Sequence, residues 1–459
     1  MGDRTRSGVA FLVLVLAAAN AANELVAATR APLNVLVLIS DDQRADTIHA
    51  LGNAHIQTPN LDRLVKRGTY FSRAYCMGST QGAVCLPSRA MLNSGRTLFH
   101  APDDLAGVSI MAETFRQAGY DTFASGKWHN GTKSFARGFA AGDAIFFGGM
   151  GSQTELAVHA FDPSGEYPKS AAKSRDTHTS EMFAGAFARF LQSRDSAKPF
   201  FAYVAFTSPH DPRTPPAEYR ALYDPAKLPL PANFLPEHPF DNGELKIRDE
   251  ELAAWPRTPE VIREHLADYY GMISHLDAQV GHILDALDTA GAADDTIIVY
   301  TSDHGLAIGG HGLLGKQNLY DHSMNSPLIL AGPGVPAGMR IDAMCYLLDI
   351  FPTICELTGV EIPSTVEGRG LKPVLTGQAE RSRDMIFCAY REVQRSVRDE
   401  RWKLIWYPKI EKIQVFDLVN DPHELHDLSE VESAASERER LRAMLDQAMR
   451  DADDPLAKE

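Results

Sequence analysis

Cysteine is scarce in this chain, with five among 459 residues, and no two stand in a C-x-x-C pair. That excludes a disulfide scaffold and a structural zinc site of the usual spacing. The five are Cys76, Cys85, Cys345, Cys355 and Cys388. If one is consumed by chemistry, the other four can form up to two bridges in an oxidising compartment, with the connectivity open. Surplus positive charge is lacking too: 45 Lys and Arg face 60 Asp and Glu, a formal net charge of −15. Such a field repels nucleic acid and anionic membrane surfaces. Beyond the N-terminus there is no apolar run long enough to span a bilayer, and there is no internal repeat or low-complexity tract. What is present is an ordinary globular composition, 44% hydrophobic and 23% charged. The length allows two or three lobes, or one large α/β domain with an appendage.

The N-terminus carries Arg4 and Arg6, an apolar run from Val9 to Ala19, and the small residues Ala19-Asn20-Ala21. This is the tripartite layout of a secretory signal, so residues 1–22 are predicted to be cleaved near Ala22 and the protein to be secreted or periplasmic. The run is shorter than the ~20 residues a membrane-spanning helix needs, so no membrane span is expected in the mature chain.

Asn34 to Ser40 is a continuous apolar run that ends in Asp41-Asp42, and the pattern recurs at Phe200–Phe206 before His210 and at Thr296–Thr301 before Asp303-His304. Runs of this kind read as buried parallel strands, whose carboxyl ends are where open α/β sheets place their sites. A further strand is predicted at Tyr120–Ala124. Helical spacing predicts helices over Asn60–Arg67, Met111–Ala118 and Pro259–Ala290. Alternating strands and helices imply an α/β fold, with a large mostly parallel sheet flanked by helices on both faces. Pro212 to Trp255 is Pro-rich and aperiodic, a long insertion of the kind that lines binding sites. After Gly377 short alternating pieces (Met385–Phe387, Trp402–Tyr407, Val415–Leu418) precede a charged terminal helix. The expected domains are therefore 33–377, catalytic, and 378–459, a smaller α+β subdomain with a short antiparallel sheet.

The densest chemistry lies at Cys85-Leu86-Pro87-Ser88-Arg89. Pro87 suits a first helical turn, which aims Cys85 at the positive amino end of that helix, a place that favours an anion. The stretch resembles the C-x-P-S-R signature of the type I sulfatases, in the alkaline phosphatase superfamily, in which the cysteine is oxidised to formylglycine. Gly126-Lys127-Trp128-His129 resembles the family's G-K-W-H, and Ser302-Asp303-His304-Gly305 resembles its second metal motif. The similarity extends from about Leu33 to about Leu428.

By this resemblance the protein is expected to hydrolyse a sulfate ester through a sulfoenzyme intermediate on the formylglycine. A hydrated aldehyde carries two hydroxyls on one carbon: one attacks sulfur, and the other later expels sulfate. The resemblance implies that Asp41, Asp42, Asp303, His304 and the modified Cys85 hold one divalent metal. Carboxylate ligands point to Ca²⁺, with Mg²⁺ possible; His304 stands where the family more often has an amide. Lys127 and Lys316 are expected on the sulfate oxygens, with Arg89 and His129 on the formylglycine hydroxyls. His210 is the first choice as proton donor to the leaving group, a contribution of roughly 10²–10⁴-fold. The implied partners are a sulfated carbohydrate, desulfated from a chain end during polysaccharide degradation, and a formylglycine-generating maturation enzyme. His210, Asp211, Arg213, His311, Arg391 and the insertion are candidates to face the leaving group. Two alternatives stay open: a phosphonate or phosphate ester hydrolase of the same superfamily, and a non-catalytic binder of sulfated glycan.

Overall fold

The structure, a computed structural model, describes residues 32–458; the expected signal sequence lies outside the described residues. The strands of the two larger sheets, in chain order, are β1 (Asn34–Ser40), β2 (Gly68–Tyr75), β3 (Gly78–Ser79), β4 (Asp121–Lys127), β5 (Ala141–Phe146), β6 (Phe200–Ala205), β7 (Thr296–Ser302), β8 (Asn325–Ala331), β9 (Met339–Ile341), β10 (Cys345–Tyr346), β11 (Ile386–Tyr390), β12 (Gln394–Arg398), β13 (Trp402–Tyr407) and β14 (Lys412–Asp417); Ala157–Val158 and Lys173–Ser174 pair apart from them. Among the described residues a nine-stranded sheet runs β9-β2-β8-β7-β1-β6-β4-β5, with β10 beside β2. Its centre is parallel: β1 pairs with β6 on one side and β7 on the other. β8 is antiparallel to β7 and to β2. The fold is α/β, as the alternation of strands and helices predicts.

The apolar runs are buried along their whole length because both faces of the sheet are covered. On one face Leu36, Leu38, Ala202, Val204 and Ile298 meet Phe183, Phe187, Leu276, Val280 and Leu284. These come from helices of Thr179–Ser193 and Pro259–Thr289. On the other face Phe115, from a helix of Met111–Gln117, stacks on Phe201 at 5.0 Å. Each such side chain contributes roughly 1.5–3 kcal/mol by leaving water. The helix of Pro59–Arg67 is held at its amino end from outside, since Asp277 accepts the Asn60 and Leu61 N–H groups at 3.1 and 2.7 Å. No helix among the described residues is long and apolar enough to cross a membrane.

The smaller sheet runs β14-β13-β12-β11-β3, antiparallel apart from β3, which pairs parallel with β11. A helix of Ala435–Asp451 accompanies it. β3 sits just before Cys85, so the C-terminal sheet is anchored on the segment that leads into the site. The insertion contains one short helix, Ala217–Arg220, and isolated turns. All five cysteines are buried free thiols.

Candidate active site

Parallel pairing of β1 and β7 in register, Ser40 opposite Ser302, sets Asp41-Asp42 beside Asp303-His304. Asp42 has a left-handed φ of 67°, which costs free energy unless its surroundings fix it. They do: the Asp42 N–H donates to Asp303 Oδ1 at 3.1 Å, and the Tyr269 hydroxyl donates to the Asp42 carbonyl at 2.6 Å.

Cys85 opens a buried helix, Cys85–Ser94. One turn on, the Ser88 hydroxyl donates to the Asp303 carbonyl at 2.6 Å, and Arg89 Nε donates to Asp303 Oδ2 at 2.9 Å. The Arg89 guanidinium also reaches the Lys127 carbonyl, 3.2 Å away. β4 continues three residues beyond the stretch predicted and so carries Lys127 itself, whose ammonium donates to Asp41 Oδ2 at 2.5 Å. Gly126 is required just before it: φ is +93°, and a Cβ there would stand 1.9 Å from the Ala205 carbonyl oxygen. His129 Nδ1 lies 3.4 Å from Cys85 Sγ.

Lys316 donates to both Asp42 carboxylate oxygens, at 2.8 and 3.0 Å, and stands 2.9 Å from His210 Nε2. His210 Nδ1 is 2.7 Å from the Asp211 carbonyl, an acceptor, so Nδ1 bears the proton and Nε2 a lone pair. All ten residues singled out for the site thus meet at one place, at the carboxyl ends of β1, β4, β6 and β7.

Burial would push the Cys85 thiol up, but Lys127, His129, His304 and Lys316 outweigh it and hold the thiol well below its usual value. Burial and the neighbouring Asp303 push Asp41 up. Burial opposes ionisation of Asp42 as well, but His210, Lys316 and His304 overcome it and its value falls. His304 is raised to about 9: burial would lower it, and the carboxylates of Asp303 and Asp42 prevail. His210 falls to about 3, because burial and the ammonium groups of Lys316 and Lys127 outweigh Asp42.

Three buried polar atoms here have no hydrogen-bond partner, Asp41 Oδ1, His304 Nε2 and the donor Arg89 Nη2. His304 Nδ1 donates to the Gly305 carbonyl at 2.9 Å and Nε2 faces Asp42 Oδ1, 3.4 Å off; the carboxylates favour a proton on Nε2, and a cation displacing that proton would meet its lone pair. Asp41, Cys85, Asp303 and His304 each offer a ligand atom within 4.8 Å of the others, and Asp41, Asp42 and His210 form an overlapping group. Orphaned acceptors, three crowded carboxylates and an imidazole oriented by a carbonyl fit a divalent cation.

A family described as Sulfatase matches residues 33–360. The chain belongs to the sulfatase family. It is thereby a sulfuric ester hydrolase of the alkaline phosphatase superfamily. Residues 309–451 also match the C-terminal region of N-sulphoglucosamine sulphohydrolase. The sulfatase is 26% identical to an N-acetylglucosamine-6-O-sulfatase of Bacteroides thetaiotaomicron, over 97% of this chain and 91% of the relative. It is 27% identical to an arylsulfatase of Clostridium perfringens, over 90% of this chain and 93% of the relative. Among solved structures it resembles a protein in complex with its substrate D-glucosamine-2-N,6-O-disulfate, with a TM-score of 0.72, 21% identity, and coverage of 93% of this chain and 99% of that one. At that identity the likeness shows the fold alone.

Above Cys85 the sulfatase has a cavity of about 360 Å³, lined by His129, His210 and Lys316 on the inner side and by Glu244, Arg248, Asp249, Tyr390 and Arg391 farther out. Arg391 is one of the lining residues. Arg213 and His311 are not among the residues lining this cavity. His311 is stacked on Tyr320 at 3.7 Å, with Nε2 donating to the Glu424 carbonyl at 2.8 Å. Arg213 turns toward His265, 3.4 Å away, and the Tyr269 ring. Asp211 is behind the wall, paired with Arg248. Sequence reasoning did not find Tyr269, Glu244, Asp249 or Tyr390. The first lies inside a long helical pattern and two others in an aperiodic insertion; Tyr390, beside Arg391, was the one with a signal next to it.

Proposed function

We propose that this sulfatase removes an O-sulfate from a saccharide at a chain end, using a formylglycine made from Cys85 beside one divalent cation, Ca²⁺ in the first place and Mg²⁺ in the second. The observation that carries the reading is the crowding of Arg89, Lys127, His129 and Lys316 around Cys85 and a cage of three carboxylates. A cation held by Asp41, Asp42, Asp303 and His304 supplies Lewis-acid neutralisation of the sulfate charge. The modified residue would supply a geminal diol on the side chain at position 85.

The chain's own residues divide the remaining work. Lys127 and Lys316 bring positive charge to the sulfate oxygens, where fixed electrostatics contributes most to rate. His129, on the open side of Cys85, takes the nucleophile's proton. Arg89 fixes Asp303 and, through the Lys127 carbonyl, the end of β4. The leaving oxygen takes its proton from the Lys316–His210 pair. His210, the first choice from the sequence, keeps its ring proton on the Asp211 carbonyl, so its Nε2 accepts and the proton between the pair resides on Lys316 Nζ. Earlier in the chain, residues 1–22 act as a secretory signal, and 33–377 and 378–459 form the catalytic domain and its subdomain.

A saccharide substrate is supported by the cavity, whose volume near the low end of the roughly 300–1,000 Å³ range holds one sugar ring. The relative named an N-acetylglucosamine-6-O-sulfatase supports it too. The test is the peptide mass across Cys85 in protein from its own host, paired with sulfate release from sulfated mono- and oligosaccharides. Phosphonate and phosphate esters serve as comparison substrates. Formylglycine with sulfate release is the expected result. Unmodified cysteine with no turnover would favour a glycan-binding role, and faster turnover of a phosphonate ester would favour the other hydrolase.

A further inference from the structure

The outer wall of the cavity is a network of charges in which no cation is left over. Arg391 donates to Glu244 Oε1 at 2.9 Å and joins the C-terminal sheet to the insertion. Arg248 is paired with Asp211 and donates to Asp249 Oδ1 at 2.8 Å. Asp249 Oδ2 accepts from Gln317 Nε2 at 2.9 Å, next to Lys316. Two lining guanidiniums therefore face two lining carboxylates, with Asp211 behind them engaging Arg248 as well, and the lining beyond the sulfate-binding lysine carries no net positive charge. Between them the Tyr390 hydroxyl is buried with no hydrogen-bond partner, in a residue 1% exposed that lines the cavity.

The backbone beneath is fixed for this purpose. Arg391 has a φ of 44°, uncommon for a side-chain-bearing residue, and is held by its N–H on the Ser79 carbonyl at 2.7 Å. Tyr390 is paired with Ser79 in the β3–β11 ladder. The hairpin is thus tied to the chain six residues before Cys85.

We propose that Glu244, Arg391 and Tyr390 determine specificity by gripping the hydroxyls of an uncharged hexopyranose, a hexose or N-acyl hexosamine, and that the wall rejects a sugar bearing a second anionic group. A carboxylate and guanidinium side by side accept from and donate to adjacent hydroxyls, and the unpaired phenol supplies a third contact. A uronate carboxylate or second sulfate on the same ring meets the carboxylates of Glu244 and Asp249, beside guanidiniums that are already engaged, and it loses its hydration without a partner. This inference rests on the saccharide reading above.

The test compares kcat/KM for a sulfated hexosamine, a sulfated uronate-containing disaccharide and 4-nitrophenyl sulfate in the mature enzyme. Variants Glu244→Gln and Arg391→Asn are measured alongside; Asn tolerates the left-handed backbone at 391. Wild type is expected to favour the hexosamine over the uronate. Each variant should lower the hexosamine-to-aryl ratio by roughly 10- to 100-fold, as for a hydrogen bond to a charged group. Glu244→Gln, which leaves Arg391 unneutralised, should also raise the uronate-to-hexosamine ratio. A preference for uronate, or ratios unchanged in both variants, would overturn the proposal. Aryl turnover with no saccharide turnover in wild type would instead remove the saccharide reading, and this inference with it.

Discussion

Lys316 Nζ and His210 Nε2 stand 2.9 Å apart with one donor between them, the ammonium, because the His210 ring proton is committed to the Asp211 carbonyl. A sugar alkoxide leaves poorly without a proton, whereas a nitrophenolate leaves well. Lys316→Ala is therefore expected to lower kcat on a saccharide sulfate by roughly 10²–10⁴-fold and to slow 4-nitrophenyl sulfate much less. Steady-state rates on both substrates decide it; equal losses would mean that the lysine serves sulfate binding alone.

The orphaned Asp41 Oδ1 and His304 Nε2 make the fold's stability depend on cation. Saturating Ca²⁺ is expected to raise the melting temperature of chelator-treated protein, by about 2.7 kcal/mol of stability at a hundred times Kd. Asp41→Asn should blunt that response while leaving the sheet intact by circular dichroism. A melting temperature indifferent to Ca²⁺ and Mg²⁺ in wild type would argue against the cage.

The site was legible where motif and strand end coincide. Asp41-Asp42 and Asp303-His304 close continuous apolar runs, and such runs announce buried parallel strands. Cys85 to Arg89 carries its chemistry in five adjacent residues. The pocket wall was less legible, because Glu244 and Asp249 are brought there by a loop with no period, and only long-range hydrogen bonds such as Arg391 to Glu244 reveal the pairing. β3 was invisible for a related reason. Two residues, Gly78-Ser79, form a strand because β11 is there to pair with them, and nothing in their own sequence says so.

Long-range pairing also fixes the C-terminus. Arg395 on β12 is 1% exposed and donates to Asp454 Oδ1 at 2.9 Å, a residue fully buried beyond the terminal helix. Breaking a buried pair from one side leaves a bare charge, at a cost of roughly 3–5 kcal/mol. Asp454→Ala should lose about that much in denaturant unfolding. Arg395→Met together with Asp454→Leu should recover most of it. If the single variant is neutral, the tail does not anchor the smaller sheet.

Acid should unfold the protein earlier than its carboxylates require. Burial holds His178, His238, His265, His275 and His311 neutral, each lowered from 6.5 to about 4. His311 shows the mechanism. Nε2 donates to the Glu424 carbonyl, and Nδ1 lies between the Asn233 amide at 3.3 Å and His322 Nε2 at 3.2 Å, so a second proton on Nδ1 would crowd a donor and put positive charge against a second buried imidazole. Because the unfolded chain binds these protons first, the histidine contribution is complete above pH 6.5 and is lost as pH falls from 6.5 toward 4, up to about 3 kcal/mol for each group. Glu424 and Asp277, raised by burial to about 7 and about 6, act in the opposite sense but are fewer. Melting temperature should accordingly drop steeply between pH 6.5 and 4. His311→Gln should flatten part of that slope, since glutamine fills the site with no proton to gain. A curve level from pH 7 to 4.5, or a slope unchanged in the variant, would show that these imidazoles open to water before the fold does.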